Sequence, residues 1–119
     1  MSTKSIFKRF IITGGLGFIG FNLIEKITEE FPSSNILILD NLSTGSTNKI
    51  PNSKNINFIN FTLKNNNINS LSKILNEDDV IIHLAAFGNV IESIQNPFPS
   101  FESNVEGTLC VLNAMKFAK

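Results

Sequence analysis

Thr13-Gly14-Gly15-Leu16-Gly17-Phe18-Ile19-Gly20 decides how the rest of the sequence is read. An apolar run, Phe10-Ile11-Ile12, leads into it, and an amphipathic segment, Phe21 to Ile27, leads out. That order predicts strand, glycine turn, helix. Gly14, Gly17 and Gly20 stand three residues apart. In such a turn the first glycine lets the chain reverse sharply. The second lets backbone N–H groups approach a phosphate with no Cβ in the way, and the third lets the new helix lie close on the strand. Unsatisfied N–H groups and the positive dipole end at the helix start favour a pyrophosphate. The turn holds no Lys or Arg, so backbone donors would carry that role.

Glycine triplets also collect in flexible turns, so the context matters. Asp40 follows Gly20 by twenty residues and ends a second apolar run, Ile36-Leu37-Ile38-Leu39. An acid at that strand end can accept both ribose hydroxyls of an adenosine. The plainer reading is that Asp40 caps a turn with Asn41. Strand, turn, helix, strand and acid arriving in this order favour the nucleotide.

With 119 residues there is room for one domain, residues 1–119, and one modest core. Hydrophobic content of 42% against 17% charged suits a soluble globular α/β chain rather than a disordered one. A formal net charge of +0 predicts no broad attraction to nucleic acid or membrane. The one cysteine, Cys110, rules out an internal disulfide and fits a reducing compartment. The start is short, polar and basic with no apolar run of signal length behind it, and no run has membrane-spanning length. The expectation is a cytoplasmic protein.

Residues 1–7 read as a frayed lead-in, and Lys8 to Thr13 as a first strand buried on both faces. The first helix is expected over Phe18 to Glu30, with Ile19, Leu23 and Ile27 as its buried stripe. Strand two is Ile36 to Leu39 and strand three Ile56 to Phe61. Between them lies a polar loop, Asn41-Leu42-Ser43-Thr44-Gly45-Ser46, at the carboxyl strand end where open parallel sheets bind ligands. Ser43 and Thr44 could reach a phosphate or ribose, or be ordinary turn formers. Ile68 to Leu75 reads as a short helix and Val80 to Leu84 as strand four, followed by small residues at Ala85 and Ala86. A last helix is expected from Asn96-Pro97 to about Ala118, with Phe101, Val105, Leu109, Leu112 and Met115 on one apolar stripe. Asn104 and Thr108 sit one turn apart beside that stripe, either to bind something or to hydrogen-bond the end of strand four. Strand–helix units repeating about every thirty residues predict a doubly wound parallel α/β sheet, of order 3-2-1-4.

The same residues carry a family resemblance. Thr13 to Gly20 resembles the TGxxGxxG fingerprint of extended short-chain dehydrogenases/reductases, and Asp40-Asn41-Leu42-Ser43-Thr44-Gly45 the DNLSTG-type segment of nucleotide-sugar 4-epimerases. His83-Leu84-Ala85-Ala86 is similar to the HxAA motif after strand four. Glu92 to Pro97 with Asn104-Val105-Glu106-Gly107-Thr108 resembles the ESxxxP…NVxGT stretch. The chain thus resembles the NAD-dependent epimerase/dehydratase family, in its UDP-glucose 4-epimerase-like members, through an amino-terminal Rossmann-type portion. The resemblance implies NAD as cofactor. It implies that Gly14, Gly17, Phe18, Ile19 and Gly20 cradle the pyrophosphate and that Asp40 holds the adenosine ribose, with Asn41, Ser43, Thr44 and Gly45 lining that site. Leu84, Ala85 and Ala86 would contact the middle and nicotinamide side, and Asn104 would support the site. Thr62 stands where the family usually has an Asp that contacts adenine, and Asn96 where many epimerases have Lys. His83 is expected to be structural rather than a base, and Cys110 core rather than nucleophile.

The family's reaction uses a Tyr-x-x-x-Lys pair on a fifth strand and its following helix. The sequence contains no Tyr, so no residue can take that role by the usual chemistry. The expectation is a chain truncated after the helix following strand four and incompetent alone. A nucleotide sugar would be its substrate only with a carboxy-terminal half supplied. A stand-alone dinucleotide-binding sensor and a non-functional remnant are the other readings. Strand four, at the edge of the order 3-2-1-4 with no fifth strand beside it, further predicts self-association or a complementing chain.

Overall fold

The computed structural model describes residues 6–119, and the expected lead-in lies outside the described residues at positions 1–5. Phe7 departs from that expectation. Its ring packs 5.4 Å from Phe10 and 5.5 Å from Phe31, centroid to centroid.

The chain divides into two compact units. One runs to Phe61 and takes in Asp78–Leu84, and the other comprises Thr62–Glu77 and Ala85–Lys119. The first unit holds β1 (Arg9–Thr13), α1 (Phe18–Glu30), β2 (Asn35–Asp40), β3 (Ile56–Asn60) and β4 (Asp79–His83). The four strands are parallel, in the order β3-β2-β1-β4. Apolar β-branched and leucine side chains make β1 and β2 central strands buried on both faces. Register then sets two rows across the sheet. Val80, Phe10, Ile36 and Ile56 form one, and Ile82, Ile12, Ile38 and Phe58 the next. Both rows join Ile24 and Ile27 of α1 in a single hydrophobic cluster. Burial at about 25 cal/mol per Å² of apolar surface makes this cluster the main stabilising term of the unit.

The buried residues of α1 are Gly20, Ile24 and Ile27; of the stripe read from periodicity Ile27 is buried and Leu23 packs partly buried on the core, whereas Ile19 is not covered and Ile24 takes the central place. Ile19 is 66% exposed. Gly20 contributes nothing to a hydrophobic pattern, yet it is the point at which the helix touches the turn. Ile24 is fully buried above that contact, and Leu23 packs beside it against the same cluster, partly buried.

The second unit holds α2 (Ile68–Ile74), α3 (Val90–Gln95), α4 (Phe98–Phe101) and α5 (Gly107–Phe117), with a π-turn at Glu102–Glu106 joining the last two. Helical backbone runs without a break from Phe98 to Phe117, as expected of the last helix, and takes π geometry over Glu102–Glu106. The apolar stripe of Phe101, Val105, Leu109, Leu112 and Met115 is present on this helix, and all five of its residues are exposed. α5 packs against α2, and its buried residues are Gly107, Cys110, Val111 and Ala114. Two of its faces are apolar, and the smaller side chains are the ones covered, since they let two helices approach closely.

Candidate functional site

In a parallel sheet every strand ends on the same side. Thr13, Asp40 and His83 close β1, β2 and β4 in the first unit. The turn after Thr13 is tied to β2 twice. The Gly14 N–H donates to the Leu39 carbonyl at 2.8 Å, and the Leu16 N–H to Asp40 Oδ2 at 3.1 Å. Gly14 takes φ 66°, a left-handed conformation that disfavours side chains. A Cβ on Gly20 would lie 2.5 Å from Gly15 Cα and 2.7 Å from the Gly14 oxygen, so the helix–turn contact excludes one.

Gly17 is different. A Cβ there would meet only the Gly14 oxygen, at 3.4 Å, and its φ of −77° suits any residue. No internal packing requires glycine at this position. Gly17 is also the N-cap of α1, with no side-chain cap and no acidic residue in the first turn. Bare backbone therefore faces outward where the helix's first N–H groups begin. Phe18, at 81% exposure, and Ile19 flank this opening. A long apolar pair left uncovered beside a polar turn fits a surface meant to lie against a bound molecule.

Asp40 is buried, and each oxygen already accepts a backbone N–H: Leu16 at Oδ2 and Leu42 at Oδ1, the latter at 2.8 Å. The capping reading of Asp40 is thus realised. A carboxylate offers about four lone-pair positions, so acceptor capacity remains for ribose hydroxyls. Asn41 makes an Asx turn, its Oδ1 accepting the Ser43 N–H at 3.1 Å. Ser43 and Thr44 are exposed, and Gly45 closes on Leu16.

At the β4 end, His83 pairs in register with Thr13, and Nδ1 lies 2.7 Å from Thr13 Oγ1. That hydroxyl also accepts the Leu84 N–H at 3.0 Å. Partial burial holds the imidazole pKa below its ordinary value, which favours the neutral ring. His83 is therefore tied into the strand ends, in keeping with the structural reading. Sequence reasoning gave Thr13 and Leu16 no role beyond the motif. Only pairing with His83 and Asp40 exposes what they do.

In the second unit Asn104 bonds to both backbone groups of one residue, Phe87. Its Oδ1 accepts the Phe87 N–H at 2.7 Å, and its Nδ2 donates to the Phe87 carbonyl at 3.1 Å. Thr108 Oγ1 donates to the Asn104 carbonyl at 2.7 Å, so this polar pair secures the segment after β4. Ala86 is exposed, and the Thr62 carbonyl accepts from Asn67 Nδ2 at 2.7 Å. Cys110 is buried, and burial pushes its thiol pKa up, the opposite of an activated nucleophile.

Residues 11–119 match the family described as GDP-mannose 4,6 dehydratase. The chain belongs to that family. It is 30% identical over 115 residues to a UDP-glucose 4-epimerase of Mycoplasma pneumoniae, covering 96% of this chain and 32% of that protein. It is 34% identical over 121 residues to a dTDP-D-glucose 4,6-dehydratase of Dictyostelium discoideum, covering 92% of this chain and 26% of that one. Among solved structures, a UDP-glucose 4-epimerase of Thermus thermophilus in complex with NAD superposes with a TM-score of 0.76 at 30% identity, over 89% of this chain and 33% of the other. The fold is the Rossmann type of the epimerase/dehydratase enzymes, and the chain spans about a third of the curated relatives' length. No helix among the described residues is long and apolar enough to cross a membrane.

Proposed function

We propose that this chain is the NAD-binding portion of a nucleotide-sugar epimerase or dehydratase. The carrying observation is Gly17, a glycine that no packing among the described residues requires, set at an uncapped helix start. A dinucleotide explains both features, since its pyrophosphate needs close backbone approach and free N–H donors. Gly14, Gly17, Phe18, Ile19 and Gly20 would take the pyrophosphate. Asp40 would take the adenosine ribose, with Asn41, Ser43, Thr44 and Gly45 around it. Thr62, Leu84, Ala85, Ala86 and Asn104 complete the proposed set. When bound, NAD supplies the hydride acceptor.

NAD(H) is proposed over NADP(H). Asp40 would face a 2′-phosphate with like charge, and no Lys or Arg occurs between Asp40 and Lys49 to offset it. Lost hydrogen bonds and added repulsion should weaken NADPH by roughly 1–3 kcal/mol. Fluorescence titration of both reduced cofactors tests this, and equal or tighter NADPH binding would overturn it.

By itself the 119-residue polypeptide should not interconvert UDP-glucose and UDP-galactose, because it has no Tyr to remove the sugar hydroxyl proton. Turnover above a buffer blank, in protein free of host epimerase, would contradict this. A dinucleotide sensor is the second reading, which NADH binding in the absence of any complementing chain with Tyr-x-x-x-Lys would favour. A cytoplasmic setting accords with the single free cysteine and is checked by cell fractionation. Self-association, or pairing with a complementing chain, accords with the edge position of β4.

A further inference from the structure

The contacts of Asp40 point to a task that precedes any ligand. Its carboxylate reaches into the glycine turn through the Leu16 N–H and into the following loop through the Leu42 N–H. Leu42 holds φ 63°, a conformation uncommon for a residue with a side chain, and its N–H sits on Asp40 Oδ1 in that conformation. Three residues on, Gly45 presses against Leu16. A Cβ on Gly45 would meet Leu16 Cβ at 2.8 Å and the Leu16 oxygen at 3.0 Å. The loop from Asp40 to Gly45 is therefore closed on the turn at both of its ends, and both closures fall on the same residue, Leu16.

We infer that Asp40 is a positioning residue for the glycine turn, holding it in its ligand-accepting shape before any dinucleotide arrives. This deepens the proposed dinucleotide binding and rests on it. An acid acting only as a ribose acceptor would matter only for ligands with ribose hydroxyls. An acid that also holds the Leu16 amide matters for whatever the turn binds, including the diphosphate alone. A buried charge that accepts two amides fixes their direction more firmly than a neutral acceptor would.

The ligand pair that separates these roles is ADP and 2′,3′-dideoxy-ADP, titrated into the wild-type chain, Asp40→Ala and Asp40→Asn. Removing a negative charge beside a diphosphate should by itself tighten binding, so weakening cannot come from charge. The expected result is that Asp40→Ala loses about tenfold in affinity for dideoxy-ADP as well as for ADP, the scale of one hydrogen bond to a charged group. Asp40→Asn keeps one carbonyl oxygen and should recover part of that loss. Equal affinity of wild type and Asp40→Ala for dideoxy-ADP would overturn the inference and leave Asp40 a ribose acceptor only. Should Asp40→Ala fail to fold, hydrogen exchange of the ligand-free wild-type chain decides. Slow exchange at the Leu16 and Leu42 amides supports the inference, and exchange at the rate of open loops overturns it. If no adenine nucleotide binds the wild type, the dinucleotide reading fails, while the exchange measurement still judges the role of Asp40 in the turn.

Discussion

Gly17 and Gly20 look alike in the motif but answer to different demands. A Cβ at Gly20 collides with backbone, which cannot move aside. Gly20→Ala should therefore destabilise the chain by about 1–3 kcal/mol, seen as a lower thermal midpoint. Gly17→Ala should leave that midpoint nearly unchanged and weaken NADH binding instead. A large loss of stability at Gly17, with binding intact, would show that packing explains both glycines. His83 adds a pH dependence. Its pKa is lowered in the folded chain, so the unfolded chain binds more protons at mildly acidic pH. This contribution is constant above about pH 6.5, the unperturbed histidine value, and is lost as pH falls below it toward the folded pKa. Melts of wild type and His83→Asn between pH 7.5 and 5 should diverge over that window, with the variant's profile the flatter.

At the scale of elements, β1 and β4 are joined at both ends on one face of the sheet. Thr13 and His83 meet at the carboxyl end. At the other, Arg9 forms a two-pronged pair with Asp79, Nε to Oδ1 at 2.8 Å and a terminal nitrogen to Oδ2 at 2.6 Å. The Asp79 side chain is 4% exposed, and its hydrogen bond keeps the Arg9 guanidinium even more firmly protonated than usual. Asp79→Ala should destabilise by about 2–3 kcal/mol, because it strips a partly buried charge of this partner. The neighbouring Lys8–Asp78 pair is exposed on both sides, so Lys8→Ala should change stability by under about 0.5 kcal/mol. Urea unfolding of the two variants tests the contrast, and equal losses would refute it.

For the molecule as a whole, two apolar features call for a partner. β4 is a sheet edge whose residues are all half-buried, and Phe101, Val105, Leu109, Leu112 and Met115 stand exposed in the second unit. Unpaired edges and contiguous apolar surface both favour association. Sedimentation velocity should show concentration-dependent self-association. The double variant Leu109→Glu, Leu112→Glu should reduce that association without lowering the thermal midpoint, since neither side chain lies in the buried set of α5. A wild-type chain that stays monomeric across the accessible concentration range would remove this expectation.

The sequence by itself determined the four strands, the α1 boundaries and the family from local chemistry, and the strand order from the connections that right-handed crossovers allow. Glycine spacing, runs of β-branched residues and a strand-ending acid announce themselves within a few residues. Tertiary structure decided which apolar face is covered. Ile19 and the Leu109 stripe are as apolar as Ile24 and Val111, and periodicity records only that a face is apolar. Coverage depends on which face meets a neighbour closely, and that was settled by residues with little or no side chain, Gly20 on Gly15 and Gly107, Cys110 and Ala114 among the covered residues of α5. Tertiary structure likewise decided what Asp40 holds. The acid is legible at the end of β2, but its partner Leu16 is twenty-four positions away, and only the folded turn brings that amide to its carboxylate.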